Sequence, residues 1–593
     1  MKLPFHSPAG IVFAMIPAMC APLEAQEVSP DTPWFVPVPG FKAPASGEHP
    51  RLMFRKADVP ALRARATTPE GQAIIARLRT VLGQNGEAFP VDLQTLATVN
   101  ILPGNYQPLP EGSFTMSHGA GYGLLYQLTG DKNYAALARQ SLEKLFAGQP
   151  DKDPRYAWVN PGTGFRLGAV FQGVALAYDL CYDGWDEEFR ARVVREILDC
   201  KSPCLQHKKP LTLENMATAN GYPPGSNHFG AYLGGTGMIV LAILGDPGAD
   251  DARLQKVLAK VEDNLKVVLT RGFGDHGWFA EGTHPGRITS NTGIVPLLPC
   301  LLHAAGRDYL SPRPNGTWLT LRVAMELIPT AKGPVIPWRG DYGGALLYER
   351  PMTSHAGDFA QGMAAVPAQY RPALAWIHNH FLEPGSVKKE YNIESPIQAV
   401  MAFTAWPIGV PEKNPREVLP HGFLDSIARY VLFRNHWQDS DDIVVTALLG
   451  SGPQGYKRLG GGPIMVWGLG ARREFPVKFT GGKVGTFETK ADGGYFMVPG
   501  AKGDVAFGVD YSGKSGAAAL LVMAGPAVGV LPEKKDAKDG VNWFQGGYEA
   551  GGLSYYVQML AKGSELPTVA VEGDALKIGK ATVRFAGGKL TFE

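Results

Sequence analysis

The chain has 593 residues, too many for a single hydrophobic core, so two or three domains are expected. Hydrophobic residues make up 45 % and charged residues 19 %, the balance of a soluble globular protein, while 73 glycines and 48 prolines call for many turns and a β-rich portion. A formal charge of +2 provides no global field for nucleic acid or a membrane surface, so an anionic ligand must be held by a local cluster.

The N-terminus has the layout of an export signal. Lys2 supplies charge, the apolar run from Gly10 to Met19 is too short to span a bilayer, and Leu23-Glu24-Ala25 offers a cleavage tripeptide before Gln26. A signal peptide over residues 1–25 and a periplasmic or secreted product are predicted, with no membrane insertion and no later transmembrane segment. Residues 26–50 are a proline-rich extended lead-in. Helical patterning begins at Asp58-Val59-Pro60, an Asp cap followed by proline in the first turn.

From there the chain reads as amphipathic helices separated by Gly/Pro loops: a hairpin over 121–147 turning at Thr129-Gly130-Asp131, then helices over 165–179, 187–198, 233–244, 251–269, 294–305 and 319–327. They differ too much to form a regular solenoid. An (α/α) toroid of helix hairpins, with functional loops at one end, is predicted for residues 51–405. Beyond it the texture changes to short β-prone runs between glycine turns, at 430–434, 443–448, 463–467, 519–523, 568–571, 576–578 and 581–585. These predict an antiparallel β-sandwich over 406–593, and a multidomain α + β fold class.

Once the signal is removed, Cys181, Cys200, Cys204 and Cys300 remain. Two readings stay open: a Cys200–Cys204 disulfide, permitted in an exported protein, or four thiols in a helical core. Their scatter argues against a zinc site.

Two blocks carry most of the chemistry, Gly225-Ser226-Asn227-His228 and the run from Asp275 to Arg287 (DHGWFAEGTHPGR). Both gather amide, imidazole, carboxylate and guanidinium groups on glycine-rich turns between helices, the usual layout of an active site. Neither has a metal-ligand spacing or a phosphate-cradling loop. No cofactor is implied, and proton transfer around a carbohydrate is the chemistry these groups suit.

The order of toroid and sandwich on an exported chain resembles the heparinase II/III-like polysaccharide lyases and their alginate-lyase relatives. His49-Pro50-Arg51-Leu52-Met53-Phe54 with Asp58 to Arg63 looks like the opening of that toroid, and Ala177-Tyr178-Asp179 like one of its helix signatures. Asn227-His228 resembles the pair that holds the substrate carboxylate in relatives. Trp278 to Thr283 resembles the stretch leading into the catalytic tyrosine, Gly340-Asp341 the Gly-Asp near the toroid's end, and Tyr430 to Asn435 an early sandwich strand. Two departures stand out. His284-Pro285-Gly286-Arg287 occupies the place of the tyrosine, and Gly455 to Gly461 has no histidine where heparinase-type relatives carry a metal-binding stretch.

The resemblance implies β-elimination next to a uronic acid. The C5 proton becomes removable when hydrogen-bond donors neutralise the adjoining carboxylate. Asn227 supplies its amide, and His228 or Arg287 a second donor. His284, 57 residues after Asn227, is the expected base, and Tyr342 the expected acid on O4. His118 and Tyr122, at the mouth of the first hairpin, are reserves for either role. Glu281 is expected to orient His284 or pair with Arg287. Trp278 and Trp338 are candidate sugar platforms, Arg166 and Arg339 candidate substrate contacts, and Asp275 and His276 members of a solvated turn. The expected partner is an anionic polysaccharide or oligosaccharide, not nucleic acid. Two rival classes remain: a glycoside hydrolase pairing Glu281 with Asp275 or Asp341, and a non-catalytic glycan-binding protein.

Overall fold

The computed structural model describes residues 29–86, 117–151, 155–204, 208–330, 333–341, 344–351, 356–382, 395–450, 462–475, 477, 479, 482–526, 532–538, 540–563 and 565–593. The predicted signal, Tyr342 and the Gly455–Gly461 segment fall outside these residues. The N-terminal part is helical: α1 (Val59–Arg65), α2 (Pro69–Leu82), α3 (His118–Thr129), α4 (Lys132–Phe146), α5 (Gly164–Cys181), α6 (Glu187–Leu198), α7 (Leu213–Ala217), α8 (Asn227–Ile243), α9 (Asp251–Val267), α10 (Thr283–Thr289), α11 (Val295–Ala305) and α12 (Pro314–Glu326). Three shorter helices at 356–362, 371–377 and 396–405 follow.

Side-chain caps set several of the boundaries. Asp131 accepts from the Asn133 N–H (2.9 Å), and Asp186 accepts from the Phe189 N–H (2.8 Å). Such caps satisfy N–H groups that the first helical turn leaves without partners.

Glycines decide how the helices pack. A side chain at Gly119 would overlap Ala177, and one at Gly123 would overlap Leu180, so α3 and α5 run side by side in the same direction. Gly168 meets Ala231 and Gly235 meets Gly168, which sets α5 and α8 parallel at backbone contact. Gly230 meets Thr289, Gly234 meets Gly293 and Gly237 meets Leu297, which adds α10 and α11 in the same sense. The amphipathic helices α4, α6 and α9 each return between two of these. The result is a layer of parallel inner helices in which the N-termini of α5, α8 and α10 share one rim, while α3 begins beside the C-terminal end of α5. The run Gly286–Ala305 is long and apolar enough to cross a membrane by composition, contrary to the sequence expectation; it is mostly buried against α8.

The two toroid motifs meet in space. Buried His49 lies between Asp179 (2.7 Å) and Asp246 (2.9 Å), while Arg51 pairs with Asp246 (2.7 Å). Asp179 also accepts the main-chain N–H groups of Arg51 (2.8 Å) and Leu52 (2.9 Å), and the Tyr178 hydroxyl donates to Asp246 (2.9 Å). These carboxylates clasp the entry strand to α5 and to the end of α8. Burial opposes ionisation of Asp246, but His49, Arg51 and Tyr178 outweigh it and hold this carboxyl below its usual range.

The C-terminal part is three antiparallel sheets in layers. A five-stranded sheet spans residues 422–475, a seven-stranded sheet spans 486–562, and a four-stranded sheet spans 569–592. Alternation along each strand explains the stack. Tyr430 and Leu432 face the toroid core while Val431 and Phe433 face the seven-stranded sheet. That sheet turns Phe507 and Leu521 to one side, and Ala506 and Leu520 to the four-stranded sheet on the other. A strand covered on both faces reads as a nearly continuous apolar run, as in Tyr430–Arg434, where only the final arginine breaks it.

The four described cysteines are thiols, with Cys181, Cys200 and Cys300 buried and Cys204 half-buried. The helical-core alternative holds, and the Cys200–Cys204 disulfide does not.

Candidate active site

The rim where the inner helices begin collects most of the residues picked from sequence. Asn227 and His228 are the first two residues of α8, Arg166 the third of α5, and Thr283 and His284 the first two of α10, whereas His118, first of α3, lies beside the far end of α5. Parallel helix N-termini present partial positive charge and open N–H groups to the same space, a setting that favours anions.

Asn227 is held from both sides. Its N–H donates to Glu281 Oε2 (2.9 Å), and its carbonyl accepts from Thr289 Oγ1 (2.8 Å). Glu281, only 2 % exposed, leads into α10 through Gly282, whose φ of +99° excludes a side chain at little cost. The two sequence blocks are thus joined directly: the carboxylate of one fixes the amide-bearing residue of the other. Ser226 caps α8 by accepting the His228 N–H (3.4 Å). The His228 ring stacks on Tyr222 (centroids 4.5 Å, 16°) and lies 5.4 Å from Phe165. Arg166 lies over the Phe165 ring (5.4 Å) and donates to Thr163 Oγ1 (3.1 Å).

Several expectations are corrected. Glu281 neither pairs with Arg287 nor is needed by it: Arg287 Nε donates to Asp358, whose second oxygen accepts the Gln398 amide (2.9 Å). Arg287 is therefore a partnered cation and not a spare donor for a substrate. His118 and Tyr122 sit in the packed interior at 0 % exposure, which removes both from the mouth, and burial pushes the Tyr122 phenol above its ordinary value. Trp278 is 3 % exposed and stacks on Tyr430 (4.3 Å), so its face is spent on packing and not on sugar.

Asp275 and His276 are likewise buried rather than solvated. They lie where toroid and sandwich meet. Asp275 accepts from the N–H (2.9 Å) and hydroxyl (2.5 Å) of Ser426, and His276 packs between Trp318 (4.6 Å) and Phe423 (5.8 Å). Asp425 accepts the N–H groups of His276 (3.0 Å), Trp278 (3.1 Å) and Ala428 (2.8 Å). Burial, then the neighbouring Asp275, pushes the Asp425 carboxyl well above its usual range. Burial acts the same way on Asp275, but His276 and Ser426 reverse the net direction and keep it ionised. The two neighbouring carboxyls are thus shifted in opposite directions.

Trp338 and Arg339 stand on a strand, Val335–Asp341, in a hairpin that interrupts the helical part, and this hairpin packs beside α10. The expected acid Tyr342 lies outside the described residues. The side chains of His284, Trp338 and Arg339 are not among those described.

Sequence reasoning passed over Tyr222, Asp358, Asp425 and Arg434. Only Arg434 left a trace, as a charge inside an apolar strand. It is fully buried, lies 4.0 Å over Trp437, and donates to the carbonyls of Met325 (2.8 Å) and Leu327 (2.9 Å) at the end of α12. Burial lowers its guanidinium to about 10. Among the described residues no group of three or more His, Cys, Asp or Glu side chains is placed to hold a metal ion.

No family model matches the chain, and no curated protein matches it by sequence. Solved structures that share its layout include heparan sulfate lyase HepC from Pedobacter heparinus, at 11 % identity and a TM-score of 0.41 over 80 % of each chain. Heparinase III is similar at 10 % identity and a TM-score of 0.39, covering 88 % of this chain and 90 % of its own. The chondroitin AC lyase of Streptomyces coelicolor A3 is similar at 11 % and 0.39, covering 90 % of this chain and 89 % of its own.

Proposed function

We propose that the chain is an exported polysaccharide lyase that cleaves a uronate-containing glycan by β-elimination at the helix rim. The observation carrying this reading is the fixing of Asn227 by Glu281 and Thr289 beside His228, at the positive ends of α5, α8 and α10. A uronate carboxylate placed there accepts from the Asn227 amide and the His228 imidazole, which lowers the cost of charge at C5. His284, one turn from Glu281, takes the C5 proton. The C5–H electron pair becomes the C4–C5 double bond, the C4–O4 bond breaks, and Tyr342 returns a proton to O4.

The hydrolase alternative needs two accessible carboxylates across a groove. Glu281 and Asp275 are both buried and committed to hydrogen bonds, so that pairing is disfavoured. The decisive experiment offers purified protein alginate, glucuronan, heparan sulfate, hyaluronan, chondroitin and ulvan. Growth of ultraviolet absorbance from an unsaturated uronate on at least one of them is the expected result. New reducing ends without that absorbance would establish a hydrolase, and binding without turnover a glycan-binding protein.

A further inference from the structure

We infer that Arg166, with the aromatic strip Tyr156–Phe165–Tyr222, binds a second negatively charged sugar adjacent to the uronate held by Asn227 and His228. The inference rests on the lyase reading and adds a requirement to it: the preferred glycan is charged on two neighbouring sugars.

Arg166 is the anomaly that points there. It is half-buried, its only described hydrogen bond is to the Thr163 hydroxyl (3.1 Å), and its Nε is buried with no partner among the described residues. An orphaned Nε is shared with Arg51, Arg55 and Arg65, but those arginines have strong partners for their other nitrogens. Arg51, Arg287, Arg322 and Arg434 each meet a carboxylate. Arg65 and Arg371 meet none but donate to main-chain carbonyls, those of Trp406 and Val366 among them. Arg166 has neither. It also stands in the first turn of α5, where the helix's own partial positive charge disfavours a cation. A half-desolvated cation in that position is unfavourable by itself and becomes favourable when an anion arrives.

The surroundings suit a sugar. The guanidinium lies 5.7 Å from the Tyr156 ring and 5.4 Å from the Phe165 ring. Phe165 continues to His228 at 5.4 Å, and His228 to Tyr222 at 4.5 Å. Tyr156 and Tyr222 are half-buried, so each keeps exposed aromatic surface and gives an apolar edge to a pyranose ring. Phe165 lies 5.4 Å from both the Arg166 guanidinium and the His228 ring, so one aromatic ring links the two donors, which are assigned to neighbouring sugars. A planar guanidinium matches a carboxylate or a sulfate equally well by its two-pronged geometry.

The test is calorimetric binding on a His284→Ala background, in which the sugars survive. Three probes are titrated: an oligouronate with a carboxylate on every sugar, a sulfated uronate–hexosamine tetrasaccharide, and its unsulfated form, in which the hexosamine is neutral. The expected result is tighter binding of at least one of the first two than of the third. Arg166→Gln should lower affinity for that probe roughly tenfold, the scale of one charge-assisted hydrogen bond, and leave the third unchanged. Which charged probe loses more identifies the group as carboxylate or sulfate. Arg166→Lys should recover part of the loss, and the melting temperature should not move. Equal binding of all three probes, an equal loss on all three, or no binding to any would overturn the inference. The lyase reading fails separately, if the parent chain gives no unsaturated product on any glycan while Arg166→Gln still discriminates among the probes.

Discussion

The turn at 225–228 and the turn at 275–278 are nearly interchangeable as strings of glycine, polar, imidazole and aromatic residues. In the fold the first opens on the rim of parallel helix N-termini, and the second is roofed by the five-stranded sheet. What separates them is the covering layer: Asp425, Ser426 and Tyr430 use up the hydrogen-bond and stacking capacity of Asp275, His276 and Trp278. No described strand roofs Asn227 and His228, which stay half-buried although the His228 ring stacks on Tyr222. Polar groups with their partners already in the protein build structure, and polar groups held rigid beside open space are available for chemistry.

The sharpest way to break this contrast is to remove one side chain from each turn. Asn227→Ala should lower kcat by about 10²–10³-fold, the loss seen when one preorganised donor to a developing anion is deleted. The melting temperature should hold, because the contacts securing this residue come from its main chain, which alanine keeps. Steady-state kinetics beside a thermal melt decides it, and near-normal turnover would remove Asn227 from the site. Trp278→Ala should do the reverse. Emptying a buried stacking partner of Tyr430 costs about 3–5 kcal/mol of stability, with turnover per folded molecule little changed. Denaturant unfolding with an active-fraction assay would show it, and an unchanged midpoint would mean that the junction does not depend on this contact.

Much of the fold was legible because local rules and packing agree. The helix at 187–198 and the strand at 430–434 have the predicted bounds, set by the Asp186 cap and by β-branched and aromatic crowding. The clasp of His49 and Arg51 on Asp179 and Asp246 explains why both toroid motifs are written as they are. The hairpin at 335–351, inside a helical stretch, and the roof over 275–278 were not legible. Each depends on residues far away in the chain: Asp425 lies 149 residues beyond His276. For the same reason the site was half legible. Asn227, His228, Glu281 and Arg166 share the rim, but whether an imidazole or indole faces space or packing is decided by a partner that no local pattern contains. Trp278 and His118 fell on the wrong side of that division.

The smallest effect separates the two regions by their protons. Asp425 carries a carboxyl raised well above its usual range by burial and by the neighbouring Asp275. A carboxyl raised on folding stabilises fully below its unfolded value and loses that contribution as pH climbs through the folded one. Junction stability should therefore fall from about pH 4 upward. Asp425→Asn has no proton to lose, so its stability should not carry this slope. It gives up one acceptor oxygen, the one serving Ala428 or the one serving His276 and Trp278, at about 1 kcal/mol. The variant should begin less stable than the parent in acid and draw level or pass it as pH rises. The difference between the two denaturation curves reports the protons of the Asp275–Asp425 pair. A difference independent of pH would mean that Asp425 is ionised throughout, and the roofed turn would then bury a charge pair.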